Sequence, residues 1–289
     1  MHTPDVLILL ALIAAAAASA HWKKLTPPAA LTGCVIGGLV YAGCGYTGLL
    51  LLALFFLLGT VATSWKKTDK LRIKGNAAHQ STRHTGQVIA NGGTAAILGA
   101  LALLLPAEKP LFGLMLAASL SSATGDTLSS ELGMLYGRRP FNILTGKREE
   151  KGLDGVISVE GLLIGIAGSA IIAAAWLALK GPAVWPSAFG TAAAQNLTGP
   201  PVGLSAIGSA AIIVLAGLLG NLADSLLGAT LERKGLLSND AVNFCNTAIA
   251  ALCAGALTGF NVQDSTGWGR LFYPGFWVYP ALGLMLKFH

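Results

Sequence analysis

Three carboxylates stand out in this chain of 289 residues as groups that could do chemistry. Asp126 and Glu131 lie in the segment Gly125–Gly133, and Asp224 lies in the similar segment Gly220–Gly228. Each stands near the end of a long apolar run, where an ionisable residue is costly and is therefore a functional candidate. Three carboxylates at one membrane depth would repel one another unless a metal or a basic side chain joined them. We predict that all three are catalytic and hold Mg²⁺, which prefers oxygen ligands.

The helical spacing of these carboxylates limits how they can share one ion. Asp126, Ser129 and Ser130 lie on one face of a helix by their i+3 and i+4 spacing. Glu131 lies about 140° round the same helix from Asp126. Both carboxylates could therefore reach one ion only if the helix unwinds near Gly133, unless Glu131 serves a second ion.

Other polar residues collect at the same ends of the apolar runs and form a candidate phosphate site. The segment Pro140–Gly155 combines glycines with Lys and Arg, and such a segment can bind phosphate through backbone N–H groups and cations. It is not a Walker A sequence, and no G-x-G-x-x-G follows a strand, so the familiar nucleotide folds are excluded. The residues predicted to bind the nucleotide and its phosphates are Asn91, Arg139, Lys147, Arg148, Lys151, Asp154, Asn221, Ser225, Asn239, Asn243 and Asn246.

The composition requires that a membrane-spanning helix bundle position these residues. Hydrophobic residues make up 54% of the chain and charged residues only 11%, with a mean hydropathy of +0.66, whereas about 25% of residues are charged in soluble domains. The apolar runs lack the period-2 alternation of membrane strands. We predict an all-α, polytopic transmembrane protein. The net charge of +6 is interpreted as a topology signal, and no nucleic-acid partner is expected.

Nine runs are long enough to cross the hydrocarbon layer, and their loops indicate the sidedness. The predicted spans are 4–20, 29–44, 47–64, 88–106, 111–128, 156–179, 203–228, 241–260 and 271–287. The last is short and contains two prolines, so a re-entrant segment remains an alternative. The loops after the first, third, fifth and seventh spans hold 15 of the 19 Lys and Arg residues. The positive-inside rule then places the amino terminus outside and the carboxylates at the cytoplasmic face.

This topology divides the chain into three regions. We predict amino-terminal transmembrane helices over 1–64, a basic cytoplasmic loop over 65–87, and a catalytic transmembrane domain over 88–289 with cytoplasmic loops at 129–155 and 229–240. Aligning Gly125 with Gly220 gives five identities in 15 residues. Since both segments end spans of the same direction, a parallel internal repeat is possible.

Four ordered motifs carry a resemblance to a known family. They are Gln87–Gly93, Asp126 with Ser130–Gly133, Lys151–Ser158 leading to Gly161, and Gly220–Ala229. Over roughly 85–250 the chain resembles the integral membrane proteins that include plant phytyl-phosphate kinase and animal transmembrane protein 19. The segment from Gly125 to Arg138 is also similar to the motif of the CTP-dependent polyprenol, phytol and dolichol kinases.

The resemblance implies a membrane-embedded kinase that uses a nucleoside triphosphate, CTP above all, and Mg²⁺ to convert an isoprenoid monophosphate into the diphosphate. Two enzymatic alternatives remain, a CTP-dependent polyprenol kinase and a lipid-phosphate cytidylyltransferase. The alternative from another class is a lipid transporter, although transporters place polar sites near the bilayer midplane and these carboxylates collect at one face. The expected partners are an isoprenoid lipid phosphate and the bilayer. The expected location is the bacterial inner membrane, with the active site facing the cytoplasm.

Overall fold

The fold is a bundle of apolar helices, as expected where every backbone polar group in lipid must be satisfied within its own segment. The computed structural model describes residues 3–74, 82–180 and 204–259. The predicted ninth span, 271–287, lies outside these residues. The helices are α1 (Thr3–His21), α2 (Pro27–Ser64), α3 (Lys67–Lys74), α4 (Thr85–Leu104), α5 (Lys109–Tyr136), α6 (Val159–Lys180), α7 (Ala206–Leu227) and α8 (Asn239–Gly259). Short 3₁₀ and π-helical turns at Pro106–Glu108 and Gly228–Glu232 precede α5 and follow α7.

Within the part of the chain that the structure describes, five helical segments are both long and apolar enough to cross a membrane. They are Pro27–Ser64, Thr85–Leu104, Val159–Leu179, Ala206–Glu232 and Asn239–Gly259. The protein is therefore an all-α membrane protein, as predicted. The number of membrane crossings stays a prediction.

The predicted second and third spans form the two halves of α2, which fold back on each other at Gly45. Gly45 has φ 63° and ψ −156°, a left-handed conformation that glycine adopts without a Cβ clash. A straight helix of this length would separate its ends by about 57 Å. Instead, Lys24 just before α2 donates a hydrogen bond to Ser64 at its end, with Nζ 3.1 Å from Oγ. The chain thus reverses direction at Gly45.

Successive helices alternate in direction, so their polar ends meet. Near the start of α1, Asp5 accepts a hydrogen bond from Tyr41 at 3.1 Å, while Leu25 pairs through its backbone with Arg83 just before α4. We call the region that contains the start of α4, the end of α5, the start of α6, the end of α7 and the start of α8 the polar end. It unites the residues that the sequence predicts to lie at one membrane face.

Helix α5 is the central element of the bundle and packs against α2, α4, α6, α7 and α8. It is buried continuously from Gly113 to Gly125, and Leu114 and Leu120 are fully inaccessible. Several of its buried hydroxyls donate to backbone carbonyls; Thr124, for example, donates to the Leu120 carbonyl at 2.7 Å. This packing positions Asp126 rigidly at the point where the helix reaches the polar end.

Three predicted loops differ in extent from the observed ones. The loop expected to begin at residue 129 begins only after Tyr136, because α5 continues for two more turns. The loop expected over 229–240 starts with the π-helical turn Gly228–Glu232. The basic segment 65–87 contains helix α3. At matched positions of the proposed repeat, Gly133 lies within α5 whereas Gly228 opens the π turn, so the two segments diverge there.

Candidate active site

A cavity of ≈ 510 Å³ opens at the polar end of the bundle. Its lining comes from the segment that joins α5 to α6, the ends of α2, α5 and α7, and the starts of α4, α6 and α8. Predicted site residues that line the cavity are Asn91, Asp126, Glu131, Lys151, Asp154, Asn221, Asp224, Ser225, Asn239 and Asn243. Residues distant in sequence therefore meet in one polar chamber.

Asp126 of α5 and Asp224 of α7 form the centre of the site, with their carboxyl groups in direct contact. Asp224 accepts a hydrogen bond from Asn246 Nδ2 at 3.1 Å. The Asn246 side chain is fully buried, and its Oδ1 accepts from Ser122 at 2.6 Å. This network, which also defines the orientation of the amide, holds Asp224 against Asp126. Asn246, which was predicted to bind phosphate, does not line the cavity and reaches the site only through its hydrogen bond to Asp224.

This carboxylate pair is suited to a divalent cation. Two carboxylates in contact repel unless a proton or a cation lies between them, and the charges of Asp154 and Glu232 add to the negative potential there. Within the described ranges, no group of three or more His, Cys, Asp or Glu side chains is arranged to hold a metal ion. Mg²⁺ commonly takes only one or two carboxylates and completes its shell with water and substrate phosphates. Asp126 and Asp224 therefore fit Mg²⁺.

Glu131 faces a different partner from the one that the sequence predicts. Its Oε2 lies 2.7 Å from Nζ of Lys70 in α3, and the Lys70 side chain is completely buried. The helix does not unwind near Gly133, which was the condition for Asp126 and Glu131 to share one ion: α5 continues to Tyr136, and Gly133 packs so closely on Gly161 of α6 that an added Cβ would lie 2.9 Å from its Cα. Glu131 consequently remains far round the helix from Asp126, so of the three predicted metal ligands only Asp126 and Asp224 lie together; the prediction that Glu131 serves a second ion stays a prediction.

The segment between α5 and α6 is folded as a short hairpin. Its strands are β1 (Phe141–Asn142) and β2 (Val156–Ile157), which pair antiparallel. Asn142 accepts hydrogen bonds from the backbone N–H groups of Leu144 and Thr145 at 2.9 and 3.2 Å, which stabilises the turn. The hairpin thereby places Lys151–Ser158 along the cavity.

Arg233, just beyond α7, fastens this hairpin to the bundle. Its Nη2 lies 2.6 Å from Glu149 Oε2, and its Nε donates to the Asp154 carbonyl at 2.7 Å. The hydrogen bond from Arg233 lowers the pKa of the Glu149 carboxyl below its ordinary value. At Gly155, which has φ +70°, an added Cβ would collide with the backbone of Ala229. The hairpin is therefore held closely against the end of α7.

The basic residues of the hairpin divide into two groups. Lys151 lines the cavity. Arg139, Lys147 and Arg148, which were predicted to bind phosphate, are exposed and do not line it. Their spacing from the glycines did not indicate which way these side chains point, because that depends on the fold of the hairpin.

The remaining predicted polar residues surround the carboxylate pair. Asn221 is buried and accepts a hydrogen bond from Ser129 at 3.2 Å, which links α7 to α5. Asn243 donates to Asn239 at 3.3 Å, in agreement with the predicted stripe on α8. Asn91 donates to the Gln87 carbonyl one turn earlier at 2.9 Å.

Two cations at this site, Lys70 and Arg83, were not predicted from the sequence. Both stand in a basic segment that is typical of a positive-inside loop, so nothing in their spacing distinguished them from their neighbours. The structure buries Lys70 completely and places Arg83 in the cavity wall. The one signal that pointed to Arg83 was its position four residues before the Gln87–Gly93 motif.

Comparison with known proteins extends the resemblance over the whole bundle. The family described as integral membrane protein DUF92 matches residues 9–251, which run from α1 into α8. This chain belongs to the DUF92 family. The match confirms the predicted family and adds α1 and α2 to the region of resemblance.

Several DUF92 relatives align over most of the chain. An uncharacterized membrane protein of Methanocaldococcus jannaschii is 32% identical over 218 residues, which cover 75% of this chain and 79% of the relative. An uncharacterized membrane protein of Synechocystis sp. is 30% identical over 253 residues, with coverages of 86% and 89%. The protein VTE6, chloroplastic, of Arabidopsis thaliana is 28% identical over 236 residues, with coverages of 80% and 64%. No solved structure is significantly similar to this chain.

Proposed function

We propose that this DUF92 protein is an isoprenoid-phosphate kinase, which transfers the γ-phosphoryl group of a nucleoside triphosphate to a prenyl or phytyl monophosphate. CTP is the first candidate for the donor. The observation that carries the proposal is the contact between Asp126 and Asp224 in a cavity that Lys151 and Arg83 also line. The DUF92 match agrees with the resemblance to the family that includes plant phytyl-phosphate kinase.

The residues of the cavity suit phosphoryl transfer because this reaction needs charge neutralisation and alignment rather than covalent catalysis. Mg²⁺ held by Asp126 and Asp224 would neutralise charge on the triphosphate. An oxygen of the acceptor phosphate forms a bond to the γ-phosphorus, and the bond from that phosphorus to the β–γ bridging oxygen breaks. The nucleoside diphosphate leaves with the electron pair. Lys151 faces the developing charge from the hairpin side.

The acceptor in this proposal is a phosphate rather than an alcohol for a chemical reason. The second pKa of a phosphate monoester is about 6, so its oxygen is already anionic at neutral pH and no general base is required. An alcohol would need a base to take its proton. No histidine lines the described cavity, and the facing carboxylates are better suited to binding a cation.

Product analysis separates the kinase from its alternatives. Detergent-purified protein is incubated with γ-³²P-labelled CTP, ATP, GTP or UTP, together with geranylgeraniol, phytol or their monophosphates. We expect label in the diphosphate when the acceptor is a monophosphate. Label in a monophosphate made from an alcohol would indicate a polyprenol kinase, and release of pyrophosphate would indicate a cytidylyltransferase. Movement of lipid across vesicles without nucleotide turnover would indicate a transporter, which the concentration of polar groups at one end of the bundle disfavours.

Lys151→Ala is expected to weaken nucleotide binding, or to lower kcat if the contact forms mainly in the transition state. Because one charge-assisted hydrogen bond is lost, the affinity for CTP or the kcat should fall by about 10- to 100-fold. Steady-state kinetics with varied CTP measure it. The matched control is Lys147→Ala, four residues earlier and exposed, which should behave as wild type. Unchanged kinetics in Lys151→Ala would remove this residue from the phosphate site.

The polar end is expected to face the cytoplasm, where nucleoside triphosphates are found. Thr145 in the hairpin and Ser238 before α8 are both exposed at this end. Cysteines placed there, in a background without the four native cysteines, should react with an impermeant thiol reagent only in inverted membrane vesicles. Bound CTP should slow the labelling of Thr145→Cys. Ready labelling of both positions in intact cells would contradict the orientation and the mechanism that depends on it.

A further inference from the structure

We infer that Arg83 is the binding group for the phosphate of the isoprenoid acceptor, at a subsite separate from that of the nucleotide. The inference rests on the proposed function and names the residue that distinguishes the acceptor from the donor. Arg83 and Lys151 are the two cationic side chains in the described wall of the cavity. Lys151 belongs to the hairpin that closes over Asp126 and Asp224, whereas Arg83 precedes α4 and faces the cavity from the side of α2 and α4.

The local charge balance leaves Arg83 available to bind an anion. Glu131 is the carboxylate whose charge acts on Arg83, but Lys70 holds that carboxylate in an ion pair at 2.7 Å. At this corner of the cavity the two cations Lys70 and Arg83 face the carboxylate of Glu131. No hydrogen bond joins the Arg83 guanidinium to any residue in the described ranges. Its five N–H donors are thus free to form a bidentate contact with a phosphate.

The surrounding residues hold the guanidinium in position before a ligand binds. The backbone of Arg83 is paired on both sides, donating to the Lys24 carbonyl at 2.9 Å and accepting from Thr26 at 3.0 Å. The guanidinium carbon lies 5.6 Å and 5.9 Å from the ring centroids of Phe55 and Phe56, which is within the range of cation–π contact. Such pre-organisation reduces the entropic cost of binding an anion.

The same rings explain why this subsite suits the acceptor rather than the donor. A prenyl chain extending from a phosphate at Arg83 would lie beside the half-buried ring of Phe56 and the apolar residues of α2. On the same side, Thr63, Gln87 and Asn91 line the cavity and can bond the remaining oxygens of a phosphate. At the opposite side of the cavity the carboxylate pair, Asn239 and Asn243 supply oxygen and amide groups, which suit a metal-bound triphosphate and its sugar.

Equilibrium binding tests this division without requiring turnover. The probes are geranylgeranyl monophosphate, geranylgeraniol, dioleoyl phosphatidic acid and CTP with Mg²⁺, measured on the full-length protein in detergent. Arg83→Gln should weaken binding of geranylgeranyl monophosphate by about 10- to 100-fold, the effect of a lost charge-assisted bidentate contact. It should change CTP affinity by less than about twofold. Lys151→Gln should show the reverse pattern, and the exposed arginine variant Arg72→Gln should match wild type.

A second variant keeps the positive charge of Arg83 but changes its position. A Cβ at position 59 would lie 2.5 Å from Nη2 of Arg83, so Gly59→Ala should displace the guanidinium and weaken prenyl-phosphate binding while Arg83 itself is retained. If Arg83→Gln does not yield folded protein, Gly59→Ala and Arg83→Lys carry the test, with a smaller effect expected in the same direction.

Several results would overturn the inference. The first is that Arg83→Gln binds geranylgeranyl monophosphate with wild-type affinity. The second and third are that Arg83→Gln loses as much affinity for CTP, or for geranylgeraniol, as for geranylgeranyl monophosphate. The last is that the wild-type protein binds dioleoyl phosphatidic acid as tightly as geranylgeranyl monophosphate. The last would make the site a general phospholipid site. If the wild-type protein binds geranylgeranyl monophosphate through Arg83 but transfers no phosphoryl group, the inference holds and the kinase proposal fails. If the wild-type protein transfers the phosphoryl group but Arg83→Gln keeps the wild-type KM for the acceptor, the kinase proposal holds and the inference fails.

Discussion

Asp126→Asn and Asp224→Asn are each expected to lower the rate of phosphoryl transfer by about a thousandfold or more, since each removes charge aimed at the triphosphate. The two carboxyl groups are in contact, so neither can replace the other as a cation ligand. Steady-state turnover with γ-³²P-CTP and a prenyl monophosphate measures the effect. Asp69→Asn, at an exposed aspartate of α3, is the matched control and should retain wild-type activity.

The stability of these variants should change in the opposite sense to their activity. Because two adjacent carboxylates repel without a cation, replacing one by an amide should leave the thermal unfolding midpoint in chelator unchanged or higher. Wild type should be stabilised by Mg²⁺, and the variants should lose that response. Full activity in both variants, or an undiminished stabilisation by Mg²⁺, would exclude the carboxylate pair as the metal site.

Lys70→Met is expected to destabilise the protein by about 3–5 kcal/mol, the usual cost of removing one partner of a buried ion pair. The Lys70 side chain is completely inaccessible, and its ammonium also donates to the Ala62 carbonyl at the end of α2. Its loss leaves the negative charge of Glu131 in a poorly solvated position and releases α3 from α5. The free energy of unfolding in mixed detergent micelles measures the change.

A double-mutant cycle separates the pair from the packing of the side chain. Adding Glu131→Gln to Lys70→Met removes the remaining charge and should recover most of the lost stability. Lys67→Met, three residues earlier and exposed, should lie within about 0.5 kcal/mol of wild type. A similarly small effect of Lys70→Met would show that the ion pair does not hold α3.

Much of this protein follows from sequence alone, because lipid restricts the possible structures so severely. A backbone in hydrocarbon must satisfy its own hydrogen bonds, so apolar runs such as those now seen in α4 and α8 could only be helices. The cost of ionisable groups in lipid singled out Asp126 and Asp224 as functional candidates. The alternating loop charges grouped the ends of five helices at one face, where the structure also gathers them.

The sequence could not decide which charged residues become buried, because burial depends on contacts between segments far apart in the chain. Lys70 and Lys67 are both lysines of one short basic helix, yet only Lys70 meets Glu131, 61 residues away. Lys147 and Lys151 likewise share one segment, and only the fold of the hairpin turns Lys151 to the cavity. Helical spacing placed Glu131 away from Asp126, but only the structure shows that α5 continues through Gly133, where it packs closely on Gly161 of α6. Local pattern therefore determined the helices and the chemical type of the site, whereas long-range packing decided its members, because the free energy of a charge depends on the neighbours that the tertiary structure supplies.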